Sequence, residues 1–168
     1  HYLQFHQQPF VAVISGEKNP MAVHFTEREH FHAHYFQIRH KQEALHHFCL
    51  QHDLQPGEVF FLYDDVLDVS LAALAGLRFA VPHGSSPLFR EFLLQHRHVD
   101  YFTGGSGQEH AVRESCELLM ALRGNYEMAL QARIQYDDHY QQYFRTRQSI
   151  TTRHFTADAS HQIQPVSL

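Results

Sequence analysis

Short apolar runs alternate with helix-length segments along most of the chain. Phe10–Ile14 (FVAVI) and Val59–Leu62 (VFFL) are apolar at consecutive positions, not at every second one, and Arg78–Val81 (RFAV) is apolar after its first residue. Such runs suit parallel strands covered by helices on both faces. Ala33–Ile38 (AHYFQI) and Val99–Thr103 (VDYFT) read as two further strands. Between them, Met21–Glu29, Gln42–His52, Leu88–His98 and Glu109–Arg123 read as helices, with Ala44, Leu45, Phe48 and Cys49 on one face of the second. A short helix follows the acidic turn after Leu62, and Pro82–Pro87 reads as a loop. This alternation predicts an α/β fold, a Rossmann-like doubly wound parallel sheet flanked by helices.

The pattern changes at Gly124. Tyr126–Arg147 reads as one helix without a broad apolar face, and Ser149–Leu168 is polar and rich in Thr and Gln. The expected organisation is a core over residues 1–124 and a helical and extended tail over 125–168. Aromatic side chains in a polar helix favour a tail that contacts a neighbouring subunit over one that frays.

Composition narrows the class. At 168 residues, 43% hydrophobic and 18% charged, the chain is one soluble globular domain with a sizeable core. A net charge of −5 and a pI near 6.4 offer no basic surface for nucleic acid. No apolar run reaches the roughly 20 residues of a membrane span, and no signal peptide is evident. Cys49 and Cys116 form no cluster and suit a reducing compartment. The cytoplasm is therefore expected. Of the 17 histidines, His30, His32 and His34 would share one strand face, but no frame of three or four converging zinc ligands accompanies them. The chain begins at His1, and HYLQFHQQPF reads as the end of a helix running into a strand. An upstream segment is the expectation.

Three places carry candidate chemistry. Asp64, Asp65 and Asp68 follow the strand that ends near Leu62, at the carboxyl edge where open α/β sheets bind ligands. Asp64 and Asp68 would share one side of a helical turn and offer hard oxygen donors to Mg²⁺; helix capping by Asp64 or Asp65 is the equal alternative. Ser15-Gly16 ends the first strand, where a hydroxyl and backbone N–H groups hold a phosphate oxygen or else cap the helix near Pro20. Lys41 stands at a helix N-terminus, where the dipole disfavours a cation. It is either a solvated surface residue or one kept there for another purpose.

In their order and spacing these motifs resemble those of haloacid dehalogenase-like phosphatases, and more closely the capless branch of 3-deoxy-D-manno-octulosonate 8-phosphate (KDO 8-phosphate) phosphatase. The resemblance runs from about Leu3 to Gly124. VISGEKNP resembles the strand-end Ser-Gly motif, HKQEAL the lysine-bearing helix start and YDDVLD the Gly-Asp-Asp-x-x-Asp metal motif. SGQEHAVRESCELLMALRG resembles the glycine-rich turn, Ala-Val-Arg-Glu and closing helix. The resemblance implies that Ser15 and Gly16 bind the transferring phosphoryl group and Lys41 neutralises its charge. It implies that Asp64 and Asp68 hold Mg²⁺ with Asp65 beside them, and that the chain acts on a small phosphorylated substrate as a homotetramer without a cap domain.

The chain also departs from that pattern. The family's opening Asp-x-Asp, which supplies nucleophile and acid/base, is absent from the fourteen residues before Ser15. Tyr63 replaces glycine before the paired aspartates, where it is expected to crowd a metal. Glu17 stands where arginine is frequent, and His110 replaces the small residue before Ala-Val-Arg-Glu. Two functions follow as expectations: a Mg²⁺-dependent phosphatase of a small phosphate monoester, or a non-catalytic relative that binds or scaffolds.

Overall fold

The computed structural model describes residues 2–82 and 86–167, apart from the side chain of residue 3. Its elements in chain order are α1 (Tyr2–Phe5), β1 (Ala12–Ile14), α2 (Pro20–Arg28), β2 (Ala33–Tyr35), α3 (Lys41–His52), β3 (Phe60–Tyr63), α4 (Val69–Ala72), β4 (Leu77–Ala80), α5 (Pro87–Gln95), β5 (Tyr101–Phe102), α6 (Ala111–Leu122), α7 (Tyr126–Gln135), α8 (Asp138–Gln148), β6 (Arg153–Ala157) and β7 (Ile163–Val166). Parallel strands joined by helices make this the α/β fold that the apolar runs predict. The loop expected over Pro82–Pro87 falls largely on residues 83–85, outside the described residues.

The chain divides into two compact units, His1–Phe48 with Glu127–Leu168, and Cys49–Tyr126. The first holds a four-stranded sheet in the order β1-β2-β6-β7. β1, β2 and β6 are parallel, and β7 returns antiparallel to β6. One face packs Tyr35 and Phe155, stacked at 4.9 Å, with Ala33 and Ile38 against Ala44 and Phe48 of α3. The opposite face carries His34 and His154 under α2.

The second unit holds a three-stranded parallel sheet, β3-β4-β5. Its core gathers Tyr63, Ala72, Ala80 and Leu93, with Phe61, Phe89 and Phe102 packed around them. β4 is fastened at its loop by Arg78, whose guanidinium donates to both carboxylate oxygens of Asp100 at 2.9 and 2.8 Å. The start of β4 also leaves no room for a side chain. A Cβ at Gly76 would run into the Gly57 carbonyl.

Two expected features came out differently. The helix read over Tyr126–Arg147 is broken at Tyr136, which has φ +50°. Asp137 then opens α8 by accepting a hydrogen bond from the Tyr140 N–H at 2.8 Å. An acidic N-cap inside a polar stretch restarts a helix that has no apolar face to hold it straight. The polar tail after Ser149 forms β6 and β7, with His154 in register with His34 of β2. Its strands are fixed by that distant pairing, not by an apolar pattern of their own.

Candidate functional site

Ser15 follows β1 directly. Its N–H donates to the Tyr35 carbonyl at 2.8 Å, and its own carbonyl accepts from Ile38 at 3.1 Å. The second bond ties the loop after β2 to the Ser-Gly turn, because Ile38 lies midway along the loop that leads into Lys41. Ser15, Gly16 and the lysine-bearing loop therefore meet at the carboxyl edge of one sheet. The Ser15 hydroxyl donates to the Glu17 carbonyl at 2.8 Å and accepts from the Glu17 N–H at 3.2 Å, holding the turn closed. It does not cap α2. Asn19 does so, accepting from the Met21 N–H at 2.9 Å, with Pro20 in the first turn. A side chain at Gly16 would meet open space.

Lys41 begins α3 and is buried to 9% exposure, which removes the solvated-surface alternative. The preceding loop is backbone-strained, since Gln37 has φ +56° away from any helix end. Gln37 and Arg39 line a cavity of about 320 Å³ whose far wall is the β6–β7 turn at Asp158, Ala159 and His161. The sequence alone did not mark this cavity, because the turn lies about 120 residues from the loop it faces.

In the second unit, the three aspartates follow β3. Asp65 is an N-cap whose Oδ1 accepts from the Leu67 N–H at 3.0 Å. Asp68 is buried and its Oδ2 accepts from the Asp65 N–H at 3.3 Å, completing a reciprocal capping box. Of the two capping candidates Asp65 is the one that caps, with Asp68 as its partner in the box. Because a 3-10 turn over Val66–Asp68 precedes α4, Asp64 lies outside the helix, and a shared helical turn does not relate it to Asp68. Mg²⁺ takes hard oxygen donors, often one or two carboxylates with substrate phosphate and water. The donor chemistry of Asp64 and Asp68 fits it. No preformed cluster of three or more ligating side chains exists among the described residues.

Tyr63 does not turn toward the aspartates. Its ring stacks on Phe61 at 5.4 Å in the core, and its hydroxyl donates to the His98 carbonyl at 2.8 Å. Burial pushes that phenol up to about 12. The expected crowding therefore does not arise from this side chain.

The glycine-rich turn after β5 is held by Glu114, a residue to which the sequence assigned no separate role. One carboxylate oxygen accepts from the Tyr101 hydroxyl at 2.7 Å and the Gly104 N–H at 2.8 Å, and the other from the Gly105 N–H at 3.1 Å. These donors hold the carboxyl below its usual range. An acid at the start of a helix ten residues after paired glycines is the signal that marks such a clasp. His110, which precedes α6, sits at φ +68°, where glycine carries no steric cost.

The histidines read as one strand face go separate ways. His32 accepts from the Val11 N–H at 3.2 Å, and the His30 ring bonds the Ile150 carbonyl at 2.9 Å. His34 is buried within the sheet.

No protein-family model and no curated protein matches the chain. Solved structures do. The KDO 8-phosphate phosphatase of Yersinia pestis is 27% identical at a TM-score of 0.60, over 70% of this chain and 60% of that one. A protein of Legionella pneumophila assigned to the haloacid dehalogenase superfamily (subfamily III A) hydrolases is 27% identical at 0.64, over 75% and 65%. The KDO 8-phosphate phosphatase of Moraxella catarrhalis, solved with magnesium, phosphate and KDO, is 22% identical at 0.64, over 73% and 67%. The fold is thus that of the haloacid dehalogenase-like hydrolases. Within it, the chain resembles the capless KDO 8-phosphate phosphatases, and it spans less than two thirds of the Yersinia enzyme. No helix among the described residues is long and apolar enough to cross a membrane.

Proposed function

We propose that the chain is the core of a Mg²⁺-dependent phosphatase acting on a small phosphate monoester, with KDO 8-phosphate or a related sugar-acid phosphate as the first substrate to test. The observation that carries this reading is the Ile38–Ser15 hydrogen bond, which brings the Ser-Gly turn and the loop ending in buried Lys41 to one sheet edge. Ser15 and Gly16 offer a hydroxyl and backbone N–H groups to a phosphoryl oxygen, and Lys41 offsets its charge. Asp64 and Asp68 hold the metal, while Asp65 fixes the turn between them. Bound Mg²⁺ supplies charge neutralisation on the phosphoryl oxygens. The likeness to the Yersinia phosphatase supports the reaction class. Homotetrameric assembly and a cytoplasmic location belong to the same proposal.

A second reading is a phosphate-binding relative without turnover. Its support is the capping box, which engages the carboxylates of Asp65 and Asp68 with local backbone.

Phosphate release from KDO 8-phosphate and p-nitrophenyl phosphate, with and without Mg²⁺, separates the two when paired with calorimetric titration of inorganic phosphate. The full-length protein is the sample. Metal-dependent hydrolysis supports the first reading, and phosphate binding without hydrolysis the second. Absence of both sinks them together. In an active protein, Lys41→Met lowers kcat/KM by about 100-fold or more, and Asp64→Asn abolishes the metal dependence.

A further inference from the structure

The first sheet buries an imidazole that nothing satisfies. His34 is 0% exposed and neither ring nitrogen has a hydrogen-bond partner. Buried polar groups are nearly always paired, so such an exception needs a reason. Register places His154 of β6 beside it on the same face, and the two rings meet edge to face at 5.6 Å. His154 Nδ1 is likewise unpartnered, while its Nε2 lies 3.2 Å from Oε1 of Glu27 on α2. The row across the sheet is otherwise apolar, with Val13 and Val166 at its ends.

The charged groups around this pair are few. α2 contributes Glu27, half-exposed, while its Arg28 turns to Glu29. α8 contributes Arg147, which pairs with Glu29. The loop before α2 contributes Lys18, above the ring of Phe36, which itself neighbours His34. β1 places Val13 there. Of these groups Glu27 reaches the pair, and it meets His154, leaving both ring nitrogens of His34 unsatisfied.

We propose that His34, buried without a hydrogen-bond partner against His154, forms an acid-sensitive latch between β2 and β6, closed while its ring is neutral and opened when the ring takes up a proton. β2 pairing continues into the Phe36 N–H, which donates to the Phe155 carbonyl at 3.0 Å, and the chain then runs through Ile38 to Lys41. Opening the latch frees the loop that carries Lys41. Burial, then the neighbouring His154, lowers the affinity of His34 for a proton, against a smaller opposing pull from Glu27. The sign follows from linkage. Above the ordinary histidine value of about 6.5 the ring is neutral folded or unfolded; below it, the unfolded chain takes up the proton first.

Equilibrium denaturation between pH 7.5 and 5.5 tests this in the wild type and in His34→Phe. One imidazole that stays neutral when folded raises the unfolding constant about tenfold across that interval. The wild type should show that tenfold excess over the variant. Exchange protection factors of the Phe36 and Ile38 amides should fall in acid in the wild type alone. Equal pH dependence in both proteins overturns the latch. If His34→Phe does not fold, ring NMR of the wild type decides. A His34 ring that stays neutral in the folded protein down to pH 5.5 supports the latch, and one that titrates near 6.5 overturns it.

Discussion

The two units use one grammar of strands and helices but place their polar groups differently. In Cys49–Tyr126, charged side chains sit at strand ends and are satisfied there. Arg78 grips Asp100, Glu114 closes the glycine turn, and Asp65 and Asp68 cap one another's backbone. In the other unit, imidazoles lie inside the sheet, and neither ring nitrogen of His34 has a hydrogen-bond partner. A buried polar group gains from a low dielectric only when it is paired. The unit built on loop clasps thus pairs its charges near the strand ends, while the other carries an imidazole without a hydrogen bond in its core. The site residues divide in the same way, with Ser15, Gly16 and Lys41 on one sheet and the aspartates after the other.

That contrast is easiest to break by packing. Gly76→Ala drives a methyl into the Gly57 carbonyl, backbone against backbone, and should cost about 3 kcal/mol or more in chemical denaturation. A fully stable variant would show that the β3–β4 entry is less tightly fixed than described. Acid sharpens the contrast next. Burial lowers His34 and His47 in the first unit and half-buried His98 in the second. These groups withdraw stability as pH falls below about 6.5. Asp100, lowered first by its bond from Arg78, and Glu114, lowered by the Tyr101 hydroxyl, contribute stability above about pH 4 that is lost below it. Amides of β2 and β6 should lose exchange protection by pH 5.5, before those of β3 and β4; simultaneous loss would erase the distinction.

Two smaller substitutions refine it. Tyr63→Phe removes the bond to the His98 carbonyl and should destabilise by about 1 kcal/mol, without altering metal or phosphate binding, because the ring faces the core. A change in binding would put Tyr63 back beside the aspartates. His110→Gly relieves a left-handed backbone and should stabilise by about 0.5–1 kcal/mol, read as a shift in the denaturation midpoint.

The likeness to KDO 8-phosphate phosphatases joins these observations at the level of fold. The capping aspartates bear on both proposed readings, because capping and metal binding draw on the same carboxylates. A carboxylate that caps a backbone N–H through one oxygen has a second, so capping and metal binding compete only where a single oxygen would serve both.

Local patterning determined much of this protein. Consecutive apolar residues in FVAVI and VFFL fix strands without help from afar, and Pro20 with Asn19 fixes a helix start, because these preferences act within a few residues. The Ser-Gly and Asp-Asp turns were legible for the same reason, as strand ends followed by polar residues. Tertiary structure decided the rest. RHFTA and IQPV carry no strand alternation and include Pro165, yet they complete a sheet because β2 offers an edge more than a hundred residues earlier in the chain. The cavity beside Gln37 and the meeting of His34 with His154 both depend on that pairing. Hydrogen bonds between distant strands leave no periodic trace in the sequence of either one, so those features appear only when the chain is folded.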